Sequence, residues 1–480
     1  MHEDQREFYS CPLCGAGTGN DIDNAIHGSP EHDCPVEKEM RAEHEKGNKI
    51  ELRKYQREAI DKIKWSLKEK LEGGDLVVLP TGAGKSIVIA KLAEELDQDI
   101  LILQPSKEIL EQNAGKLAQY VGKEEICIYS ASFGPKEIKK YTFATVQSIY
   151  TKPEEFAHFK LVLIDEAHNL NPKRGSSMFT SLLKEMGDPK VIGFTATPYR
   201  IMTGYRKENT GWGGYNIVAY PTLKLVNRIQ PRFWHRIIFN INNHELVEQD
   251  YLVPLHYLDS SLLDHESIPL NKSKTEFDWD AVDKEVSRHK LTIVEGVKEA
   301  LRTHKSVLVF CTSVRQSQDL EDELCILMGN PNIARSVSSA TKAKDRDSII
   351  SGFKNGSIRV VFNVGVLTTG FDHPALDCIV LARPTRSLAL YYQMLGRGVR
   401  KAEGKTQCTV IDFTSTVKTM GRVESIKIVK EDGKWVIRTA TGQWHDRPLF
   451  SYVVKEVLPT EPQPEVPEQQ EPVQSNLLEI

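Results

Sequence analysis

The stretch Leu79-Pro80-Thr81-Gly82-Ala83-Gly84-Lys85-Ser86 constrains this chain more than any other. The apolar run Leu76-Val77-Val78-Leu79 leads into it, and a helical pattern from Ile87 to Leu96 follows. Strand, glycine-rich turn and helix in that order make a cradle of backbone N–H groups, backed by a helix N-terminus that favours negative charge. In such a cradle Thr81, Gly82, Ala83 and Gly84 wrap a phosphate, Lys85 reaches the β- and γ-phosphates, and the Ser86 hydroxyl ligates Mg²⁺. The full phosphate-loop pattern has glycine where Leu79 stands, so the match is to its second half. The plainer alternative is a strand-to-helix turn that binds nothing, and the remainder of the chain decides between them.

Downstream, short apolar runs alternate with helical patterns. Ile100 to Leu103 leads to Gln104-Pro105-Ser106, and a helix is expected near Lys107 to Tyr120. Ile126 to Tyr129 and Phe143-Ala144-Thr145 follow, the latter entering Val146-Gln147-Ser148. Leu161 to Ile164 runs into Asp165-Glu166-Ala167-His168, and Val191 to Phe194 into Thr195-Ala196-Thr197-Pro198. These runs are apolar throughout and do not alternate, so both faces are buried; that is the signature of a parallel sheet with helices on both sides. Ligands bind at the carboxyl ends of such strands, where each polar motif sits. There Asp165 suits Mg²⁺, and Glu166 suits the orientation and deprotonation of an attacking water.

A second alternating series begins near Val286. Helical patterns over Leu291–Leu301 and Arg315–Leu327 flank the strand Val307–Phe310, which ends in Cys311-Thr312-Ser313. Ile358–Phe362 leads to Leu367-Thr368-Thr369-Gly370-Phe371-Asp372, Ile379–Leu381 follows, and a helix over Leu388–Leu395 ends in Gly396-Arg397-Gly398-Val399-Arg400. Thr409–Phe413 is the last strand. This half has no phosphate loop. Arg397 and Arg400 are three residues apart and share a helical face, as guanidinium groups offered to a nucleotide held elsewhere would. Between the halves, from Tyr199 to about Asp283, the alternation breaks. Basic and aromatic residues (Arg200, Arg206, Lys207, Trp212, Arg232, Trp234) interleave there as on a stacking surface for single strands, though core packing with a solvated face explains them more simply.

The N-terminal segment differs in composition and is too polar to fold unaided. Cys11-x₂-Cys14, then His27, His32 and Cys34, have the spacing of a zinc site that uses four of the five. The other five cysteines sit in or beside apolar segments, as reduced thiols of a cytoplasmic protein do. The C-terminal stretch 457–480 holds five prolines, five glutamates and no lysine or arginine, which predicts a disordered acidic tail that could dock a protein partner. No run is long and apolar enough to cross a bilayer, and the N-terminus is polar, which excludes a membrane anchor and a secretion signal from this reading. With 62 Lys and Arg against 66 Asp and Glu, a nucleic-acid site must be a local basic groove. The expected organisation is a zinc-binding segment over 1–48, an ATP-binding domain over 49–235, a connector over 236–285, a second domain over 286–456 and the tail.

In order, Leu52-Arg53-Lys54-Tyr55-Gln56, Thr81 to Ser86, Asp165 to His168, Thr195 to Pro198, Thr368 to Asp372 and Gln393 to Arg400 resemble the motif series of a superfamily 2 helicase of the DEAH-box type. The likeness covers Leu52 to about Phe413. Val78 to Ser86 and Val366 to Asp372 look closest to bacterial RadD-like DNA-repair helicases, from which the N-terminal position of the cysteine pair departs; a phage-encoded relative fits the pattern. The resemblance implies two RecA-like α/β domains with ATP and Mg²⁺ in the cleft between them and single-stranded nucleic acid, DNA foremost, across the top. Gln56, with Tyr55, would read adenine, and Gly370 and Asp372 would join the nucleotide site. Gln393, Arg397 and Arg400 would complete it from the second domain. His168, Thr195 and Thr197 would couple hydrolysis to strand movement, and Ser106, Lys107, Gln147, Thr312 and Thr369 would touch the nucleic-acid backbone.

The leading expectation is therefore an ATP-dependent DNA helicase or translocase, stimulated by nucleic acid. Alternatives are the motor of a restriction or nuclease complex, an RNA helicase, or a non-catalytic zinc-dependent nucleic-acid-binding protein. Pro135-Lys136-Glu137-Ile138-Lys139 is a poor imitation of a nuclease constellation, so cleavage would need a partner. The presence of Lys85, Asp165, Glu166, Arg397 and Arg400 together argues against a dead ATPase.

Overall fold

The structure, a computed structural model, describes residues 51–69, 73–130, 137–170, 178–209, 214–271, 276–367, 371–439, 442–443 and 452–457. The zinc candidates Cys11, Cys14, His27, His32 and Cys34, the residues Thr369 and Gly370, and the expected tail beyond Val457 lie outside the described residues, as does the side chain of Lys107.

Two parallel sheets organise the described chain. The first contains β1 (Gly74–Val78), β2 (Ile100–Leu103), β3 (Ile126–Tyr129), β4 (Tyr141–Ala144), β5 (Leu161–Ile164) and β6 (Lys190–Thr195). After a long antiparallel hairpin of β7 (Tyr199–Asn209) and β8 (Tyr215–Leu225), β9 (Trp234–Asn240) returns to that sheet. Its order is β3-β4-β2-β5-β6-β1-β9, with every pairing parallel. β1, β2, β4 and β5 are buried at every position; β2 and β5 are unbroken apolar runs, while β1 and β4 bury Asp75 and Thr142 among apolar residues. Helices α1 (Lys54–Leu67), α2 (Lys85–Leu96) and α3 (Lys107–Leu117) belong to this half.

The second sheet has the order β10-β15-β14-β11-β13-β12, also wholly parallel. Its strands are β10 (Leu255–Asp259), β11 (Val307–Phe310), β12 (Ala334–Val337), β13 (Val360–Asn363), β14 (Cys378–Leu381) and β15 (Cys408–Asp412). Cys127, Cys311, Cys378 and Cys408 are free and buried, and Cys325 is free and half-buried.

The boundary expected at residue 235 falls inside β9, which pairs with β1 from Gly74↔Trp234 to Val78↔Asn240. The first α/β unit thus reaches at least Asn240, and β10, expected in the connector, is an edge strand of the second sheet. Trp234 is core, not stacking surface. Its indole lies over Gly74 and Gly193, where an added Cβ would come within 2.5 and 2.4 Å of the ring. β16 (Lys427–Glu431), β17 (Lys434–Thr439) and β18 (Gly442–Gln443) form a small antiparallel sheet, and β19 (Tyr452–Val457) pairs antiparallel with β8.

Candidate nucleotide-binding site

The loop between β1 and α2 is shaped by two left-handed glycines, Gly82 at φ 84° and Gly84 at φ 79°. Only glycine takes such angles without strain. A Cβ on Gly84 would also lie 2.6 Å from Gln56 Nε2. α2 starts at Lys85, so the Lys85 and Ser86 N–H groups have no intrahelical acceptor by position and point out of the helix start.

α1 holds this loop from beneath. The Tyr55 hydroxyl donates to the Ala83 carbonyl at 2.7 Å, and Gln56 Nε2 donates to the same oxygen at 3.0 Å. The Gln56 carbonyl accepts from the Arg53 N–H at 3.0 Å. Gln56 is therefore buried and tied to the loop, with one amide hydrogen uncommitted by these bonds. Tyr251, from the segment joining the two sheets, packs edge-on against Tyr55 at 5.4 Å and lies under the Arg53 guanidinium at 4.7 Å.

Asp165 and Glu166 follow β5 directly. Glu166 adopts φ 47°, a strained value for a side-chain-bearing residue, and this turn aims its carboxylate at the loop. Lys85 Nζ lies 3.9 Å from Glu166 Oε1, and His168 Nδ1 lies 3.3 Å from Glu166 Oε2. Burial, and after it the Glu166 charge, push the Asp165 carboxyl upward. Burial works on Glu166 in the same direction, but Lys85 and His168 outweigh it and hold Glu166 ionised. Two adjacent hard carboxylates facing the loop that carries Lys85 and Ser86 are oxygen donors of the kind Mg²⁺ takes. His168 Nδ1 also meets Thr195 Oγ1 at 2.9 Å and Thr197 Oγ1 at 3.3 Å, and Thr195 Oγ1 accepts from the Thr197 N–H at 3.0 Å. The expected coupling residues thus form one buried cluster. Arg200 extends it by donating to the His168 carbonyl.

The second sheet supplies the opposite wall. Gln393 is half-buried on the helix Leu388–Leu395, and the turn after that helix meets the phosphate loop. A Cβ on Gly396 would lie 2.6 Å from Thr81 Cβ, and one on Gly82 would lie 3.2 Å from Arg400 Cγ. Arg397 Nη1 donates to the Phe371 carbonyl at 2.8 Å, and Arg400 Nη1 donates to it at 3.1 Å. Burial, and then the neighbouring Arg400 charge, press Arg397 down to about 9. Asp372 Oδ1 pairs with Arg400 at 2.7 Å while Asp372 Oδ2 accepts from Gln112 Nε2, on α3 of the first half, at 3.3 Å.

Among the expected backbone-contacting residues, Ser106 and Thr312 are half-buried and Gln147 is exposed. They follow the carboxyl ends of β2, β11 and β4, and Thr312 Oγ1 has no hydrogen-bond partner among the described residues. Sequence reasoning gave Gln104 no role of its own, placed Arg200 only among the interleaved basic and aromatic residues, and did not reach Gln112. For Gln104 a signal existed, since it is a polar residue at the end of a buried strand, as Asp165 is.

Residues 49–200 match the family described as type III restriction enzyme, res subunit, and residues 290–402 match the helicase conserved C-terminal domain. The Saccharomyces cerevisiae protein named ATP-dependent helicase IRC3 is 27% identical over 383 residues, which is 75% of this chain and 51% of the relative. The DNA 3'-5' translocase XPB2 of Sulfurisphaera tokodaii is 26% identical over 388 residues, 74% of this chain and 80% of the relative. The chain thus spans only about half of the yeast relative's length. Among solved structures, the fragment of an HsdR subunit of a type I restriction enzyme from Vibrio vulnificus superposes with a TM-score of 0.58 at 22% identity, covering 80% of this chain and 69% of that one. The DUF1998 helicase MrfA bound to DNA gives 0.54 at 16% identity, covering 78% and 50%. With its two family matches in order and its facing motifs in one cleft, the chain carries the paired RecA-like domains of a superfamily 2 helicase.

Proposed function

We propose that this chain is an ATP-driven motor that moves along nucleic acid, DNA foremost. The observation that carries the reading is the meeting of Gly396 and Arg400 with Thr81 and Gly82. It brings Arg400, on the turn after the helix Leu388–Leu395, to the phosphate loop of the other domain. In this reading Thr81 to Ser86 cradle the phosphates of ATP, Gln56 with Tyr55 faces the adenine, and Ser86 and Asp165 hold Mg²⁺, which neutralises phosphate charge when bound. Glu166, held ionised, orients water and accepts its proton. Gln393, Arg397, Arg400, Asp372 and Gly370 complete the nucleotide site from the second domain. His168, Thr195 and Thr197 report its state to the strand, and Ser106, Lys107, Gln147, Thr312 and Thr369 hold the nucleic-acid backbone.

A hydroxyl, an amide and a lysine suit phosphates and carry no base information, so binding is expected to be sequence-tolerant and sensitive to salt. Relatives named as helicases and as a DNA translocase support a nucleic-acid track. The test is steady-state ATPase without nucleic acid and with single-stranded DNA, duplex DNA or RNA. Strong stimulation by single-stranded DNA is the expected result; hydrolysis under none of the four conditions overturns the reading. The match of residues 49–200 to a restriction-enzyme subunit favours one second reading, a motor that serves a nuclease partner, for which stimulation by duplex DNA is the mark. The segment 1–48 is proposed to bind structural zinc through Cys11 and Cys14 with two of His27, His32 and Cys34, on the strength of their spacing.

A further inference from the structure

Gln104 is 3% exposed, and among the described residues neither its amide oxygen nor its amide nitrogen has a hydrogen-bond partner. Buried amides are almost always paired, because an unpaired one forfeits its hydration without compensation. Two idle polar atoms on one side chain therefore call for a ligand that the isolated chain does not supply.

The place of Gln104 in the sheet identifies that ligand's surroundings. β2 and β5 are paired in parallel with Leu103 opposite Ile164, and the Asp165 N–H donates to the Leu103 carbonyl at 2.9 Å. Gln104 and Asp165 are the next residues of the two strands, so their side chains leave the sheet on the same face as neighbours. On its other side Gln104 donates its own N–H to the Ala144 carbonyl at 2.9 Å, which fixes the backbone while the amide stays free. Pro105 is exposed and Ser106 is half-buried, so the residues that follow take the outer positions and Gln104 lies beneath them.

We propose that Gln104 is a positioning residue of the Mg²⁺ site. With Mg²⁺ bound, its amide N–H would turn to the neighbouring Asp165 carboxylate and its carbonyl would accept from the hydration shell of the cation. Mg²⁺ keeps several waters and binds through few carboxylates, so acceptors for those waters are part of any site that holds it. Groups behind a metal ligand typically change metal affinity 10- to 100-fold. The inference rests on the ATP-hydrolysis reading and adds to it a residue that binds neither phosphate nor nucleic acid.

The experiment is binding of a fluorescent ATP analogue to the full chain, titrated with Mg²⁺ and repeated in EDTA, together with melting of the ligand-free protein. Gln104→Leu is expected to raise the Mg²⁺ concentration for half-saturation about tenfold. Binding in EDTA should stay unchanged, and the melting temperature should rise because the idle polar atoms are gone. Gln104→Met serves the same test should the branched side chain impair folding. An unchanged Mg²⁺ half-saturation overturns the proposal. So does a variant whose only defect is weaker single-stranded DNA binding at saturating Mg²⁺, which would assign Gln104 to the nucleic-acid track. Absence of Mg²⁺-dependent nucleotide binding in the unsubstituted chain would overturn the parent reading, an outcome distinct from a defect confined to the variant.

Discussion

Arg400 is paired with Asp372 of its own domain, Nη1 to Oδ1 at 2.7 Å, while the other oxygen of Asp372 accepts from Gln112 of the first domain at 3.3 Å. One carboxylate therefore bridges an arginine whose stem packs on the phosphate loop and a helix of the opposite domain. Lys116 lies one turn beyond Gln112 on α3, in the field of Asp372, Arg400 and Asp165, and burial first of all lowers its pKa. Asp372 thus links Arg400 to a helix of the first domain through its two oxygens.

Arg400→Ala should lower kcat by roughly 10³-fold or more, the range found for arginine fingers, and leave the KM for ATP within a few-fold. Steady-state ATPase over a range of ATP concentrations checks the split. A change confined to KM would make Arg400 a ground-state contact.

Glu166→Gln should still bind ATP, because Lys85 and the loop are untouched, yet turn over at least about 10²-fold more slowly, the usual contribution of a positioned base. Single-turnover hydrolysis read beside nucleotide binding separates the two. Wild-type turnover in this variant would rule out Glu166 as the base.

His373 gives the fold a dependence on pH. Its Nε2 is 2.8 Å from Ser306 Oγ, and its ring lies 5.1 Å from Phe353 and 6.0 Å from Phe371. Burial, followed by Lys354 and Lys405 and against Asp377 and Asp372, lowers its pKa to about 4 from the ordinary 6.5. A depressed folded pKa means that the unfolded chain takes up the proton first. The stabilisation is complete above 6.5, is lost as pH falls from 6.5 toward 4, and changes no further below that. The loss should be on the order of 2 kcal/mol. Denaturant titrations of the wild type and His373→Gln at several pH values check it, the variant being flatter across the window.

Metal analysis of the full-length chain tests the N-terminal proposal. About one zinc per chain is expected, falling after Cys11→Ser or Cys14→Ser, with the ATPase rate unaffected. Absence of zinc from the purified protein would dismiss the site.

Some of this architecture is local and was therefore readable in the sequence. The apolar runs within β1, β2, β5, β11, β13 and β14 announced parallel strands buried on both faces, with polar residues at their carboxyl ends. The phosphate loop and Asp165-Glu166 were legible because their chemistry depends on residues adjacent in sequence. β9, β10 and β12 were not, because polar residues interrupt their apolar pattern: β9 mixes buried Trp234 with exposed His235, and β12 carries half-buried Arg335 and Ser336 at its centre. Only the tertiary structure could join Gln112 to Asp372, which are 260 residues apart, or set Gln104 beside Asp165 through the pairing of β2 with β5. Strand pairing and domain closure are made by the burial of distant surfaces, and no local pattern of side chains encodes which partner a given polar group will meet.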